Sequence, residues 1–302
     1  MIAFMYIFCL LVWGLNFIAV KIQGTPVSLE ESLGYRLAIA SVLFLALAAK
    51  LGISLRSVPR DFLFISLFGL CNFALSYLFL YYATIFSTAA LVTLVFSMKT
   101  VMTPIALSIF LKDRLEPRIL TGGVIGFLGV GTLLYPSFDL GVSQVGGVAL
   151  AVVGTAITAL GDAASARNAR HGIDPVRANC IGFLVATVFI ILVCLFQGRG
   201  FAVSVSPSYL GALLYLAIVA SFLAWLLYLK LVDRIGAARS GFMVALFPAV
   251  GGIASVLLGE SEPNRFLILG CVLSSLGAAY ALGINRYRPS FLRWRQPSPK
   301  IE

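Results

Sequence analysis

Charge is scarce in this sequence: Asp, Glu, Lys and Arg make up 11% of its 302 residues. A soluble domain of that length carries about a quarter charged residues, because it must wet its own surface. Too little polar material is present for that, so a soluble globular fold is excluded and lipid must solvate most side chains. Histidine is nearly absent, the single residue being His171. There is no His-Glu-x-x-His segment for an intramembrane metalloprotease, and no histidine beside a nucleophile for a Ser/His/Asp enzyme. A Walker A segment is lacking too, which excludes direct driving by ATP. The five cysteines (Cys9, Cys71, Cys180, Cys194, Cys271) lie in apolar runs without disulfide or metal spacing. They read as small hydrophobes, and no metal or cofactor is expected. The run from Ile2 to Val20 has no basic leading segment and no small-x-small cleavage site. It reads as a first span, not a signal peptide.

What is abundant is apolar sequence, 60% of the chain, with a mean hydropathy of +1.01. A helix needs about 20 mostly apolar residues to cross the hydrocarbon core. Ten stretches qualify: 2–20, 31–50, 62–82, 88–111, 118–135, 146–166, 177–197, 208–229, 240–258 and 264–283. Breaks such as Gly24-Thr25-Pro26, Pro59-Arg60-Asp61 and Asp174-Pro175 separate them; such residues resist lipid or stop a helix. The net charge of +10 has no accompanying basic-aromatic stretch, so no nucleic-acid partner is expected. Lys and Arg concentrate instead in alternate loops and the tail. Arg56, Lys112, Arg170 and Arg234 lie on one side with Arg286 to Lys300, against Lys21, Arg199 and Arg265 on the other. That bias puts both termini in the cytoplasm.

A weak internal repeat sets the halves apart by about 147 residues. Asp113 and Gly123 correspond to Glu260 and Gly270, and Trp13 to Asn16 with Lys21 correspond to Ala159 to Asp162 with Arg167. Five spans per half is an odd number, so the second half enters the membrane upside down, a common plan among secondary transporters. The expected fold is an all-α polytopic membrane protein of ten transmembrane helices. Its two inverted five-helix repeats would cover residues 1–140 and 141–285, with a basic cytoplasmic tail at 286–302. Alternating access favours a carrier; a passive channel is the competing class.

The run Trp13-Gly14-Leu15-Asn16-Phe17-Ile18-Ala19-Val20-Lys21 resembles the opening motif of the drug/metabolite transporter superfamily, in its ten-span branch. Leu226-Leu227-Tyr228, Ile235 to Arg239, Pro248 and Leu258-Gly259-Glu260 follow in the family's order. The family's Gly-Glu after the fourth span is Lys112-Asp113 here, with Pro104 closer to that acid than in the family pattern. Among members, the chain looks most like bacterial exporters of aromatic and other neutral amino acids. The resemblance implies that substrate class, a non-enzymatic role, and a multi-pass position in the inner or plasma membrane of a bacterium. A carrier for another metabolite or drug, such as a nucleotide sugar or phosphorylated metabolite, is the alternative.

Charged groups inside apolar spans mark candidate sites, since each costs about 2.5–3.5 kcal/mol at mid-bilayer on insertion scales. Lys99 lies about eleven residues from either end of span four. It is either a cation lining the solute path or a structural partner of a buried acid, and Asp162 is the natural candidate. Asp162 shares a helical face with Thr155, Thr158 and Ser165; it either binds a proton or holds Lys99 or Arg167. Tyr6, Cys9, Trp13 and Asn16 form a matching stripe, with Asn16 bonding across helices or to a ligand. Arg36, near a span end, reads as a residue that snorkels to the headgroups. Tyr81, Tyr82 and Tyr228 lie near span ends, where an interfacial belt is the default; Tyr77 and Trp225 lie deeper. The candidate cavity therefore comprises Lys99, Asn16, Trp13, Tyr77, Tyr81, Thr158, Asp162 and Trp225, with Pro104 and Pro248 as hinges. Gly122, Gly126, Gly129, Gly270 and Gly277 permit close helix contact, so spans five and ten read as packing or homodimer surfaces. A small-molecule solute and the lipid bilayer are the expected partners.

Overall fold

Every described element is helical. In the computed structural model the described residues are 2–134, 142–235 and 242–282. The basic tail at 286–302, Pro136, and Gly236 to Arg239 of the resemblance lie outside them. In chain order the helices are α1 (Ile2–Gln23), α2 (Leu29–Lys50), α3 (Pro59–Phe86), α4 (Ala89–Leu111) and α5 (Pro117–Leu134), then α6 (Val142–Arg170), α7 (Pro175–Phe196), α8 (Pro207–Leu231), α9 (Met243–Leu257) and α10 (Arg265–Ala281). Each of the ten expected stretches thus overlaps one of these helices. Seven helices, α1–α4 and α6–α8, are long and apolar enough to cross a membrane, and α9 and α10 are shorter apolar helices.

The helix starts carry the chemistry that satisfies unpaired amides. Ser28 and Glu31 form a reciprocal capping box at α2, and Asp174 accepts from the amides of Val176 and Arg177 ahead of Pro175 at α7. Ser206 caps α8 by accepting from the Tyr209 amide, and Thr88 caps α4 by accepting from Leu91. At the end of α9 Gly259 adopts φ 69°, the left-handed turn that glycine takes without strain. Lys112 occupies the corresponding place after α4 with φ 57°. A side chain there costs roughly 1–2 kcal/mol. That is the physical content of the Gly-to-Lys departure.

Apolar side chains cover the outside as well as filling the core, and a smaller set of polar ones is buried among them. Phe127 is 67% exposed on α5, and Val124, Leu128, Ile268 and Leu276 also face outward on α5 and α10. Ser32, Arg36, Asn72, Thr155 and Asn179 are buried. One ring stack sits at the centre, with Phe73 of α3 and Phe183 of α7 3.9 Å apart and Phe44 of α2 behind them. The glycines of α5 and α10 face each other within the chain. A methyl on Gly277 would lie 2.5 Å from the Gly126 amide nitrogen, so glycine is what lets these helices touch.

Nine of the helix pairings are related by a simple rule. Helix α1 packs on α8 and α6 on α3; α9 lies on α1 and α4 on α6; α7 touches α3 and α2 touches α8. Across the middle, α2 meets α7, α4 meets α9 and α5 meets α10. Adding five to each helix number maps this set onto itself.

Several helices are broken near mid-length. The α-helical geometry of α1 lapses at Leu15, between Ile2–Gly14 and Asn16–Gln23, and that of α4 lapses at Met98, before Lys99–Leu111. Helices α3 and α8 each contain a π-helical segment, Leu70–Leu75 and Tyr215–Leu223. These wider turns replace the usual backbone bonds and recur at functional sites. Helix α9 opens within the 3₁₀ turn Phe242–Leu246.

Candidate functional site

Lys99 is the first residue after the break in α4, where the Met98 amide bonds to the Val95 carbonyl, three residues back, at 3.0 Å. The hydroxyls of Ser97 and Thr100 donate to the carbonyls of Leu94 and Ser97 and satisfy the loosened turn. The ammonium so presented reaches α6, where Lys99 Nζ lies 3.0 Å from Asp162 Oδ2. Thr103 Oγ1 donates to the same oxygen at 2.7 Å. Both ionic side chains retain about a fifth of their exposure (21% and 20%), so the pair sits in the interior without being sealed. Lys99 and Asp162 are brought together; Arg167 is not their partner, being bonded to Asp61 at 2.6 Å.

Above this pair runs an aromatic cluster. Trp13 of α1 lies 5.4 Å from Trp225 and 5.2 Å from Tyr228, both on α8. Phe96 of α4 belongs to the same apolar cluster as Trp13 and Tyr228, and Lys99 Nζ sits 5.8 Å from its ring centre. The Trp13 indole donates to the Ala220 carbonyl at 2.9 Å, within the π-helical segment. The Trp225 indole N–H is buried and has no acceptor among the described residues. A buried donor left unpaired costs free energy that a ligand acceptor would recover.

Facing α8 one turn before Trp225 is a group of α2 that the sequence reading misassigned. Arg36 does not snorkel: it is 1% exposed, aimed inward from α2. It lies seven residues inside the helix start at Leu29, about 10 Å along the axis at 1.5 Å per residue. Its Nε donates to Ser221 Oγ at 2.9 Å, Nη2 to Asn16 Oδ1 at 3.1 Å and Nη1 to the Tyr81 hydroxyl at 3.4 Å. Its guanidinium carbon is 4.4 Å from the Tyr77 ring centre, a cation–π contact. Asn16, Tyr77 and Tyr81 are thus gathered round one cation, together with Ser221, which the sequence reading had not singled out. The available signal was the four-residue spacing of Ser32 and Arg36, which puts two polar residues on one buried face of α2. Tyr81 is buried, not part of an interfacial belt, and Tyr82 donates to Glu30.

The remaining candidates divide. Thr158 is buried, but its hydroxyl donates to the Gly154 carbonyl of its own helix at 2.9 Å. Pro104 lies inside α4, where its ring removes a backbone donor. Pro248 follows Phe247 in the first turn of the α-helical part of α9, directly after the 3₁₀ turn.

Ion pairs close the two ends of the bundle. At one end Lys21 Nζ of α1 lies 3.6 Å from Glu260 Oε1 beyond α9 and donates to the carbonyls of Thr84 and Ser87. At the other, Arg170 of α6 lies 2.6 Å from Asp113 beyond α4. Each pair joins the end of one half's first helix to the acid after the other half's fourth.

Comparisons with known proteins agree with this arrangement. The profile of the EamA-like transporter family matches residues 1–135 and again 143–283, a duplicated domain. An uncharacterized transporter of Archaeoglobus fulgidus is 27% identical over 278 residues, covering 89% of this chain and 92% of the relative. The uncharacterized transporter YyaM of Bacillus subtilis is 25% identical over 197 residues, 64% of each chain. A solved crystal structure shares the fold at a TM-score of 0.66 and 21% identity, covering 94% of this chain and 97% of that one.

Proposed function

The chain belongs to the EamA-like transporter family, and from that premise we propose that it is a secondary carrier exporting aromatic and other neutral amino acids by alternating access. The nine helix pairings that map onto one another when five is added to each number support the two-half arrangement of this reading. In it, residues 1–140 and 141–285 are two five-helix repeats of opposite orientation, and all ten helices cross the membrane. In this reading the Lys and Arg bias sets both termini in the cytoplasm, and the membrane is the inner or plasma membrane of a bacterium. Two inverted halves have two equivalent arrangements, each exposing the midplane to one side. Lys21–Glu260 would then close the outer end and Arg170–Asp113 the inner end.

The solute site of this proposal is the centre lined by Lys99, Asp162, Trp13, Tyr77, Tyr81 and Trp225. An aromatic wall with few polar anchors suits an amphiphilic zwitterion. The outward apolar faces of α5 and α10 are available to lipid or to a second copy. The test is uptake of labelled amino acids into proteoliposomes holding the intact chain. Saturable uptake accelerated by unlabelled solute on the far side is expected of a carrier. Unitary currents without counterflow would make the protein a channel and end the reading.

A further inference from the structure

We propose that Arg36 is the anion-binding residue of the transport path, taking the carboxylate of a monoanionic or zwitterionic solute with an aromatic body. The inference rests on the carrier reading and adds to it the group that recognises the solute. Among the described residues Arg36 has no carboxylate at ion-pair distance; its partners are Ser221, Asn16, Tyr81 and the Tyr77 ring, all neutral. The other deeply buried arginine, Arg167 at 5% exposure, has Asp61 at 2.6 Å. The two acids closest in sequence are engaged elsewhere. Glu31 accepts from Ser28 and the Ala202 amide, and Glu30 accepts from Tyr82 and Gln197 with Arg199 at 3.9 Å. A buried cation without a counter-ion is expensive, and such groups mark substrate paths in membrane proteins.

The charge count excludes polyanions. One guanidinium neutralises one carboxylate; Lys99 is already balanced by Asp162. A diphosphate or nucleotide sugar would therefore keep most of its charge uncompensated in a low-dielectric site. The geometry sets the approach. A guanidinium has five N–H donors in one plane, and Tyr77 covers one face. A carboxylate therefore enters edge-on, displacing the neutral acceptors, the 3.4 Å Tyr81 contact first. Trp225 follows Ser221 by one turn on α8, and with Trp13 5.4 Å away it offers ring surface for the solute body, its unpaired N–H giving a donor.

The test is counterflow in proteoliposomes with paired solutes: aromatic amino acids and aryl-acetates against the corresponding amides and amines without a carboxylate. Wild-type protein is expected to carry the acids at least tenfold better. Arg36→Gln should raise KM for the acids tenfold or more and bring the acid-to-amide ratio close to one. Arg36→Lys, which keeps the charge but not the fork, should retain the preference at weaker affinity. Equal flux of acids and amides in the wild type overturns the proposal without any variant, and so does an Arg36→Gln protein that still prefers acids. In both cases the carrier reading survives. Absence of saturable flux for every solute removes the carrier reading and this inference with it.

Discussion

The Lys99–Asp162 pair tests whether a charge in the centre of the bundle serves the solute or only the fold. Asp162→Asn keeps the shape and a hydrogen-bonding oxygen for Thr103 but strands the ammonium 3.0 Å away. Breaking a fully buried ion pair by removing one partner costs about 3–5 kcal/mol. A fifth of each side chain is still exposed, and that residual hydration lowers our expectation to about 2–3 kcal/mol. Lys99→Met with Asp162→Asn removes the stranded charge and should return to within about 1 kcal/mol of the wild type, since a matched apolar replacement is close to neutral. Thermal unfolding of the reconstituted protein reads this cycle; the single variant should melt a few degrees lower and the double near the wild-type temperature. Counterflow on the same samples reads the function. We expect the double variant to be stable and inactive, because the solute path has lost its central charges. A double variant that transports normally would make the pair a structural clasp. An Asp162→Asn protein as stable as the wild type would refute the pair itself.

Further outcomes follow from particular contacts. Lys112→Gly relieves a left-handed turn at φ 57° and should stabilise the protein by about 1 kcal/mol without changing flux, measured by thermal unfolding. Gly277→Val sets side-chain carbon against the α5 backbone and should abolish folded yield, measured by size-exclusion of the solubilised protein, whereas Gly131→Val, at an open position, should not. Trp225→Phe keeps the ring and loses the unpaired donor, so it should retain partial counterflow, while Trp225→Ala should lose it although both reach the membrane. Asp113→Arg should impair flux by setting like charges together beside Arg170, and the exchange Asp113→Arg with Arg170→Asp should recover most of it.

Much of the fold was legible because lipid imposes one rule: a spanning segment must be apolar and helical. Proline, Asp and Ser at the breaks then marked the helix starts, as Pro59, Asp174 and Ser206 do. Lys99 and Asp162 were legible as a pair because isolated charges in apolar runs have few places to go. Arg36 was not, since its partners come from three other helices, 20, 45 and 185 residues away. No local pattern announces such a meeting. The π-helical turns of α3 and α8 carry no Pro or Gly within Leu70–Leu75 or Tyr215–Leu223 to announce them; they follow from packing. That Pro248 falls in the first turn of the α-helical part of α9 was not legible, because the 3₁₀ turn before it decides where the α-helix begins.

The central claim is that the two ends of the bundle open in turn around one interior site. Spin labels at Ile22 and Leu258 flank the Lys21–Glu260 end, and labels at Arg114 and His171 flank the Arg170–Asp113 end; all four positions are exposed. Distance distributions in proteoliposomes, with and without a transported amino acid, should show each end in a short and a long population. One end should lengthen as the other shortens. A single short distance at both ends under conditions of measured counterflow would contradict the account.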